Sequence, residues 1–422
     1  MSYKVAGIDV HKSVLMVVVA TAGEEVADPA AGEALEFECR RFGTGAAERR
    51  CLAEWLRSSQ VQEVVMESTA QYWKPVWLEL EPVVPKLHLA QAHSNRAPKG
   101  RKNDFGDAKR LVRRLLAGEL ILSFVPEPEQ RAWRMMTRGK YQLVRDRVRL
   151  QNQVEALLEE ARLKLSSVIS DLLGLSGRRI LQALAEGKTD AAELAELGDR
   201  RLHCSREQLR DALSGEIQPV QKQLLKLQLK RLELLDQQIA ELDQMAATAL
   251  KPHEEAVIRL AQTPGFGVDS AQQIIAEVGV AAEAFPSAAQ FTSWAGVCPG
   301  REESAERNTS SRSPKGNRFV RRLLCQAAQA AVKKKGSHFQ TVFRKLLPRL
   351  GYVAAVWAIA NRLGRLVWKI LHDGVAYVEQ GAETDERSRK YRAQKLAKSL
   401  RALGYQVTLT PVKVAPNPSG RV

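Results

Sequence analysis

The sequence predicts an α/β domain followed by all-α regions, in a chain of 422 residues. Three observations predict this fold class. Short apolar runs of strand length alternate with helical patterns in residues 1–125, and long amphipathic helical patterns dominate after them. The length also exceeds the usual size of one domain, so more than one domain is expected. We place the boundaries at 1–125, 126–250, 251–378 and 379–422.

Composition restricts the class of partner before any motif is considered. The chain carries 64 Lys and Arg against 48 Asp and Glu, a net charge of +16, which favours a polyanion such as nucleic acid. An anionic membrane surface is the alternative, but no apolar run approaches a membrane-spanning length and the N-terminus lacks a signal-peptide pattern. The five cysteines are scattered without a C-x-x-C pair, so we expect reduced thiols in a cytoplasmic protein.

The first region is predicted to form a mixed sheet flanked by helices. Three strands precede the first helix, which indicates an antiparallel meander followed by crossover units, and this order is typical of ribonuclease H-like folds. The predicted strands are Val5–Val10, Val14–Ala20, Leu35–Phe42, Val61–Met66 and Lys86–Ala90, and the predicted helices are Ala46–Ser59, Tyr72–Leu80 and Phe105–Ala117.

Four carboxylates in this region are candidate metal ligands. Asp9 stands inside the first apolar strand, where an unpaired buried charge would cost several kcal/mol, and Glu67 closes a second apolar strand. Asp104 and Asp107 lie one turn apart on one face of the predicted third helix. Three of them also have a simpler explanation: a hydrogen bond at a strand end for Asp9, helix capping for Asp104, and a favourable helix dipole for Asp107.

Gathered together, however, four carboxylates would repel one another unless hard cations neutralise them. Two Mg²⁺ ions about 4 Å apart, as in two-metal nucleases, would do so and would polarise a scissile phosphate. Basic residues crowd the same stretch, as expected beside a phosphate backbone, and include Lys99, Arg101, Lys102, Lys109 and Arg110.

The central region is predicted to be a long-helix coiled coil. Apolar residues recur at three- and four-residue steps, first in a stripe from Leu150 to Leu165 and again from Leu225 to Ala246. Such stripes either pair within one chain as a helical hairpin or join two subunits, and we favour assembly between subunits.

The third region is predicted to be mostly helical and to open with a helix-hairpin-helix. A Pro-Gly-x-Gly turn containing Gly265 and Gly267 separates two apolar helices, and its backbone N–H groups could bind a phosphate. From 379 onwards the chain is predicted to be a basic tail, either solvated or in contact with nucleic acid.

A loop rich in hydroxyls and guanidinium groups follows the helix that ends at Gly296. It is either a flexible linker or a catalytic loop, in which a hydroxyl attacks a phosphate that arginines stabilise. Spacing alone does not choose the nucleophile among Ser304, Thr309, Ser310, Ser311 and Ser313. The candidate nucleic-acid contacts of the chain are Lys12, Arg101, Lys102, Gly265, Gly267, Arg312, Lys315, Arg318, Arg321 and Arg322.

Seven sequence blocks stand in a fixed order along the chain: GIDVHK, VVMESTAQYWKPVW, GRKNDFGDAKRLVRRLL, KLSSVISDLLGLSGR, TPGFG, FPSAAQFTSWAGVCPGREESA and SPKGNRFVRRLL. In this order they resemble the transposases of insertion-sequence family one hundred and ten, in its eleven-eleven subgroup. These are relatives of the Piv-type DNA invertases. The resemblance extends from Gly7 to about Leu409.

The resemblance implies a RuvC-like domain whose metal-binding DEDD residues are Asp9, Glu67, Asp104 and Asp107. It also implies a C-terminal transposase domain whose nucleophile, five residues after the proline of the AG-x-x-P block, is Ser304. Such recombinases excise and insert a mobile element under the guidance of an element-encoded bridge or seek RNA that pairs with donor and target DNA. They are expected to be bacterial, nucleoid-associated when active, and to assemble from dimers into a tetramer.

Two other functions fit parts of the sequence. A RuvC-like nuclease or junction resolvase would use the same carboxylates with an activated water, and would form no covalent bond to DNA. A non-enzymatic nucleic-acid scaffold would use only the long helices and the basic charge. The charge fits all three, whereas the ordered set of motifs favours the recombinase.

Overall fold

The computed structural model describes residues 3–22, 35–67, 70–92, 105–300, 302–304, 307–310, 313, 315–379, 381, 386–402 and 405–409. The chain divides into two compact units, Met1–Glu127 and Pro128–Val422. Within the described residues, no helix is both long and apolar enough to cross a membrane. All five cysteines are free thiols, as the sequence predicts.

The first unit is built on a six-stranded mixed sheet in the order β3-β2-β1-β4-β5-β6. β1 pairs with β2 and β2 with β3 in antiparallel fashion, and the β1–β4 and β4–β5 pairs are parallel, which confirms the predicted meander and crossovers. The final strand was not predicted, because two residues are too short to show an alternating pattern. The strands are β1 (Tyr3–Val10), β2 (Val14–Ala22), β3 (Phe37–Gly43), β4 (Glu63–Glu67), β5 (Lys86–Ala90) and β6 (Leu122–Ser123).

Helices cover both faces of this sheet. They are α1 (Ala46–Ser58), α2 (Trp73–Leu80) and α3 (Gly106–Leu116). On one face, Ile8 of β1 packs in a core with Trp55 of α1 and Trp77 of α2. On the other face, Val5 packs with Val112 of α3. Because side chains alternate along a strand, odd-numbered residues of β1 face α3.

The second unit begins with two long helices that pack antiparallel. Lys140 pairs with Asp243, and Arg147 pairs with Asp236. From Lys140 to Arg147 the numbering rises by seven residues, and from Asp243 to Asp236 it falls by seven, so the two helices run in opposite directions. The first apolar stripe and the Leu225–Leu235 part of the second pack in one core with the shorter helices of the same chain, so intramolecular packing accounts for that part of the pattern. Assembly between subunits stays a prediction. The helices are α4 (Pro128–Glu160), α5 (Leu165–Val168), α6 (Leu175–Glu186), α7 (Ala191–Glu196), α8 (Arg206–Ala212) and α9 (Pro219–Ala249).

The rest of the second unit is mostly helical around a separate core that includes Phe291, Leu324 and Ile359. Its longest helix is interrupted at Gly351, where φ is 73°, three residues after Pro348. The elements are α10 (Glu254–Ala261), α11 (Val268–Val278), α12 (Ala288–Trp294), β7 (Glu302–Ser304), β8 (Arg307–Ser310), α13 (Arg318–Ala331), α14 (His338–His372) and α15 (Glu386–Ala402).

Candidate active site

The first candidate site lies at the end of the central strands, on the face that α3 covers. Ile8 of β1 is paired with Met66 of β4, so Asp9 and Glu67 follow at neighbouring positions. Strand alternation directs both side chains to the α3 face, as it does for Val65, which packs on Leu111 of α3. The sequence therefore places the two strand carboxylates on the face covered by the helix that carries Asp107.

Gly7 allows α3 to approach β1 closely. A Cβ at this position would lie 2.4 Å from the Ala108 carbonyl oxygen and 2.8 Å from Val112 Cγ2, which is closer than real Cβ atoms come. The backbone of α3 thus rests directly on β1, two residues before Asp9. This contact brings Asp107 near Asp9, and a larger residue would move the helix away.

We expect Gly7→Ala to lower the free energy of unfolding by about 2 kcal/mol or more, because the added methyl overpacks a backbone contact. DNA cleavage should fall as well, since Asp107 would move relative to Asp9. Gly45→Ala is the matched control, because a Cβ there would meet nothing within 4 Å. Thermal melting and cleavage assays on both variants measure the difference. A fully stable and active Gly7→Ala protein would contradict this account.

The environment of Asp9 disfavours its charge. Its side chain is 14% exposed. Burial raises the pKa of Asp9 above its usual value; His11 and Arg110 lower it, and the nearby charge of Asp107 raises it further. His11 Nε2 lies 3.1 Å from Asp9 Oδ2, and Arg110 Nη1 donates to Asp107 Oδ1 at 2.5 Å. The two carboxylates are therefore close enough to repel each other, and the Arg110 guanidinium offsets part of that repulsion.

The described residues contain part of the predicted metal site. Asp9, Glu67 and Asp107 are on the elements expected for them, but Asp104 lies outside the described residues. The N-cap position of α3 is Phe105, which provides no side-chain capping hydrogen bond. Within the described part of the chain, no three His, Cys, Asp or Glu side chains are grouped as metal ligands.

The second candidate site is the serine loop between α12 and α13. Ser304 is the last residue of β7 and pairs with Arg307 of β8, so this loop contains a short β-hairpin that the sequence did not predict. The hairpin has only seven strand residues and no apolar alternation, so no periodic signal marks it.

The two ends of the serine loop are held against each other. A Cβ on Gly316 would lie 2.3 Å from the Gly296 nitrogen, so the backbones touch. The Asn317 N–H donates to the Trp294 carbonyl at 2.9 Å, and the Asn317 side chain caps α13 by accepting from Phe319 N and Val320 N. This closed base argues against the flexible-linker alternative for the ends of the loop.

A buried carboxylate anchors this base to the long helix α4. Glu277, only 2% exposed, accepts two hydrogen bonds from Arg138, at 2.6 and 2.8 Å. Asn317 Nδ2 donates to the same carboxylate at 2.9 Å. Arg134 donates through Nε to the Ala276 carbonyl at 3.1 Å, and burial lowers its pKa to about 10. The serine loop is thus connected to α4 through α11.

We expect Glu277→Ala to lower the free energy of unfolding by about 3 kcal/mol, because it leaves Arg138 and Arg134 without their carboxylate. Glu283→Ala, which removes an exposed carboxylate a few residues on, should change it by no more than about 0.5 kcal/mol. Chemical denaturation of both variants checks the expectation. Equal stability of the two would show that the network does not hold the base of the serine loop.

The two helices and the turn of the predicted helix-hairpin-helix correspond to α10, α11 and the turn between them, and the motif itself stays a prediction. Gly265 has a φ of 91°, and a Cβ there would lie 2.1 Å from the Ala327 carbonyl oxygen of α13. Gly267 precedes α11, and its N–H donates to Ser270 Oγ at 2.8 Å. The first glycine therefore has a packing role, and phosphate binding by this turn stays a prediction.

The predicted basic contacts fall in three places. Lys12 is exposed in the β1–β2 turn, whereas Lys315 and Arg318 are exposed around the start of α13. Arg321 and Arg322 are half-buried on α13, with the Arg321 guanidinium 4.8 Å from the centroid of the Trp357 ring. Arg101, Lys102 and Arg312 lie outside the described residues.

Sequence reasoning missed Glu277 and its partners on α4. The signal that found Asp9 was available here too, because Glu277 stands in the apolar run Ile274 to Val278. A buried carboxylate requires a partner, and Arg134 and Arg138 have the four-residue spacing that places two guanidinium groups on one helix face. Arg134 and Arg138 lie far from Glu277 in the sequence, so local spacing does not show that they are its partners.

Comparison with known proteins assigns the family. Residues 6–162 match a family model of DEDD-type IS110 transposases, and residues 258–344 match the model of the IS116/IS110/IS902 transposase family. A probable family 20 transposase of Pseudomonas aeruginosa is 28% identical over 323 residues, which cover 74% of this chain and 85% of that protein. The transposase of insertion sequence element IS1111A from Coxiella burnetii is 24% identical over 325 residues, with 74% and 79% covered.

Together the two family matches cover more than half of the chain, and they include β1, β4, α3 and the serine loop. The DEDD family model indicates an enzyme that uses divalent metal ions. The expectations of a transposase and of an enzyme acting on DNA are confirmed. The chain belongs to the IS110/IS116/IS902 family of transposases and is a DNA transposase.

Proposed function

We propose that this transposase is an RNA-guided recombinase that excises and inserts a mobile element through a phosphoserine intermediate. The observation that carries the proposal is the closed base of the serine loop, which holds the segment containing Ser304 between α12 and α13. A hydroxyl on an anchored hairpin can be presented to a phosphodiester repeatedly in the same orientation, which cleavage and rejoining both require.

The N-terminal unit would be a RuvC-like domain whose metal ligands are Asp9, Glu67, Asp104 and Asp107. Carboxylate oxygens are the donors that Mg²⁺ prefers, and the raised pKa of Asp9 is the effect that a bound cation would relieve. Bound Mg²⁺ would supply polarisation of the scissile phosphate. Without it, Arg110 and His11 partly offset the charge of Asp107 and Asp9.

The residue that forms the covalent bond would be Ser304. Its hydroxyl oxygen would lose its proton and bond to the phosphorus, the bond from phosphorus to one sugar oxygen would break, and that sugar oxygen would take up a proton, so that no net proton is gained or lost. The phosphodiester energy is kept in the phosphoserine bond, so a second DNA end can reverse the exchange without a nucleotide cofactor. Arg312, Lys315 and Arg318 are the cationic residues that would stabilise the phosphate charge during the transfer.

Recognition would depend on an element-encoded bridge or seek RNA, one part of which pairs with donor DNA and another with target DNA. The net charge of +16 supports simultaneous binding of two polyanions. Homodimers would assemble into a tetramer, with each composite site drawing carboxylates and serine from different subunits. Altering one guide loop should move cleavage to the newly complementary DNA, which sequencing of the junctions would show.

The decisive experiment is to trap the DNA on the protein. End-labelled DNA carrying the element ends is incubated with the protein, its RNA and Mg²⁺, denatured in detergent, and separated by gel electrophoresis. We expect a labelled adduct whose DNA-bearing peptide contains Ser304. Cleavage to free ends with no adduct would instead identify a RuvC-like nuclease or junction resolvase that uses water as the nucleophile.

A further inference from the structure

Four arginines and two aromatic residues form one continuous surface on α4 and α13. We call it the arginine–aromatic surface. α13 starts directly after the serine loop, with Asn317 as its N-cap, so the surface adjoins the base of that loop. Its members are Arg138, Tyr141 and Arg145 of α4, and Arg318, Phe319 and Arg322 of α13.

The two rings form the centre of this surface. Tyr141 and Phe319 meet edge to face, with centroids 5.3 Å apart and planes at 82°. The guanidinium groups of Arg138 and Arg318 each lie 4.8 Å from the Phe319 centroid. Those of Arg322 and Arg145 lie 4.7 Å and 5.8 Å from the Tyr141 centroid. Each ring therefore holds two guanidinium groups.

Hydrogen bonds fix the more buried half of this surface. Arg138 is held by both oxygens of Glu277, and Arg322 Nη2 donates to Gln273 Oε1 at 2.7 Å. Arg145 and Arg318 are exposed. In the described part of the chain, Arg138 is the one arginine of the four that pairs with a carboxylate. The positive charge of the other three is thus not offset by an ion pair.

The arrangement selects for one kind of ligand. Proteins that bind single strands stack bases on open aromatic faces, but here guanidinium groups cover both rings. What remains available is chiefly the N–H donors of the exposed Arg145 and Arg318, whose planar guanidinium groups match the geometry of phosphate oxygens. Stacking also reduces the rotamer entropy lost when a phosphate is bound. A regular row of phosphates, as on a duplex, is the ligand that fits fixed guanidinium groups.

We propose that the arginine–aromatic surface binds the phosphate backbone of duplex DNA next to the serine loop. The proposal rests only on the membership in a DNA transposase family, and not on the serine or metal chemistry proposed above. It adds Arg138, Tyr141 and Arg145 to the residues expected to contact nucleic acid. It also gives Phe319 a role in positioning Arg138 and Arg318 toward the DNA.

The test uses the full-length variants Arg145→Gln and Arg318→Gln, which change exposed side chains and spare the Glu277 network. Binding to a labelled 30-bp duplex of unrelated sequence is measured by fluorescence anisotropy across a range of salt concentrations. We expect each variant to raise Kd by roughly tenfold and to reduce the slope of log K against log salt by about 1. Arg210→Gln, which removes an exposed arginine from α8, is the matched control and should leave both quantities unchanged.

Phe319→Leu tests the stacking itself, because it removes the ring and keeps every charge. We expect a few-fold weaker duplex binding and a folded protein by circular dichroism. If Phe319→Leu does not fold, the binding of Arg145→Gln and Arg318→Gln decides whether the proposal holds. Wild-type duplex affinity and slope in both arginine variants would overturn the proposal. The proposal would also be overturned if the two arginine variants lost affinity only for single-stranded DNA or only for RNA. The Ser304 adduct can form in either case, so this test and that of the recombinase are separable.

Discussion

Replacing Asp9 by asparagine is expected to abolish DNA strand cleavage, with a loss of about three orders of magnitude or more. Asp9 supplies a carboxylate on the face of the sheet that α3 covers, near Asp107 and beside Glu67. An amide keeps the shape of the side chain but not its charge, so a metal ion would be held weakly and the phosphate would lose its polarisation. Cleavage of labelled element ends measures the effect, and binding of the proposed guide RNA should be retained.

The same substitution should not destabilise the fold. Burial and the charge of Asp107 both raise the pKa of Asp9, which means that the folded protein disfavours its charge at neutral pH. Asp9→Asn should therefore melt at the wild-type temperature or above it. An inactive protein of unchanged or greater stability would identify a residue retained for function, whereas wild-type cleavage by Asp9→Asn would exclude a metal-ligand role.

Glu63 on β4 is a control with the opposite expected result. Burial would raise its pKa, but hydrogen bonds from Lys86 and Tyr3 hold it below the usual value of 4.5. The stabilisation from its charge is thus present above that value and is lost as the pH falls through the lower pKa of the folded state. Glu63→Gln should lower the melting temperature at neutral pH and keep the cleavage activity. The difference in melting temperature between this variant and the wild type should become smaller in acid.

The sheet was predictable because its signals are local. Short apolar runs mark β1, β2 and β4, and the order of three strands before α1 leaves few ways to connect a mixed sheet. The carboxylates at Asp9 and Glu67 were predictable for the same reason, since a charge within an apolar strand is visible in the sequence alone. α3 begins at Gly106, one residue after the start predicted for it.

The connections between distant segments were not predictable. No pattern near Gly316 shows that it touches Gly296, and none near Arg138 shows that its partner is Glu277. Each contact depends on how α4, α11 and α13 pack, which sequence periodicity does not specify. The long stripes have the same limit, because a repeat of leucines predicts a partner helix without saying which chain provides it.

Ser304→Ala is expected to remove the covalent adduct completely and to reduce strand exchange by about four orders of magnitude or more. Alanine has no oxygen that can bond to phosphorus, and the backbone of β7 can accommodate it, so the hairpin should persist. The base of the loop is held by hydrogen bonds of Glu277 with Arg138 and Asn317, and both of these partners are unchanged in the variant. Melting temperature and duplex binding should therefore match those of the wild type, which separates lost chemistry from lost folding.

Ser310→Ala is the matched control, because Ser310 pairs with Glu302 in the same hairpin and carries the same hydroxyl. If Ser304 is the nucleophile, Ser310→Ala should retain adduct formation, since it leaves the reacting oxygen in place. If Ser310→Ala instead lost the adduct and Ser304→Ala kept it, the nucleophile would be Ser310 on β8, within the same anchored loop. Free DNA ends from Ser304→Ala at the wild-type rate would mean that water attacks the phosphate, and the role of the serine loop would then be to bind DNA rather than to bond with it.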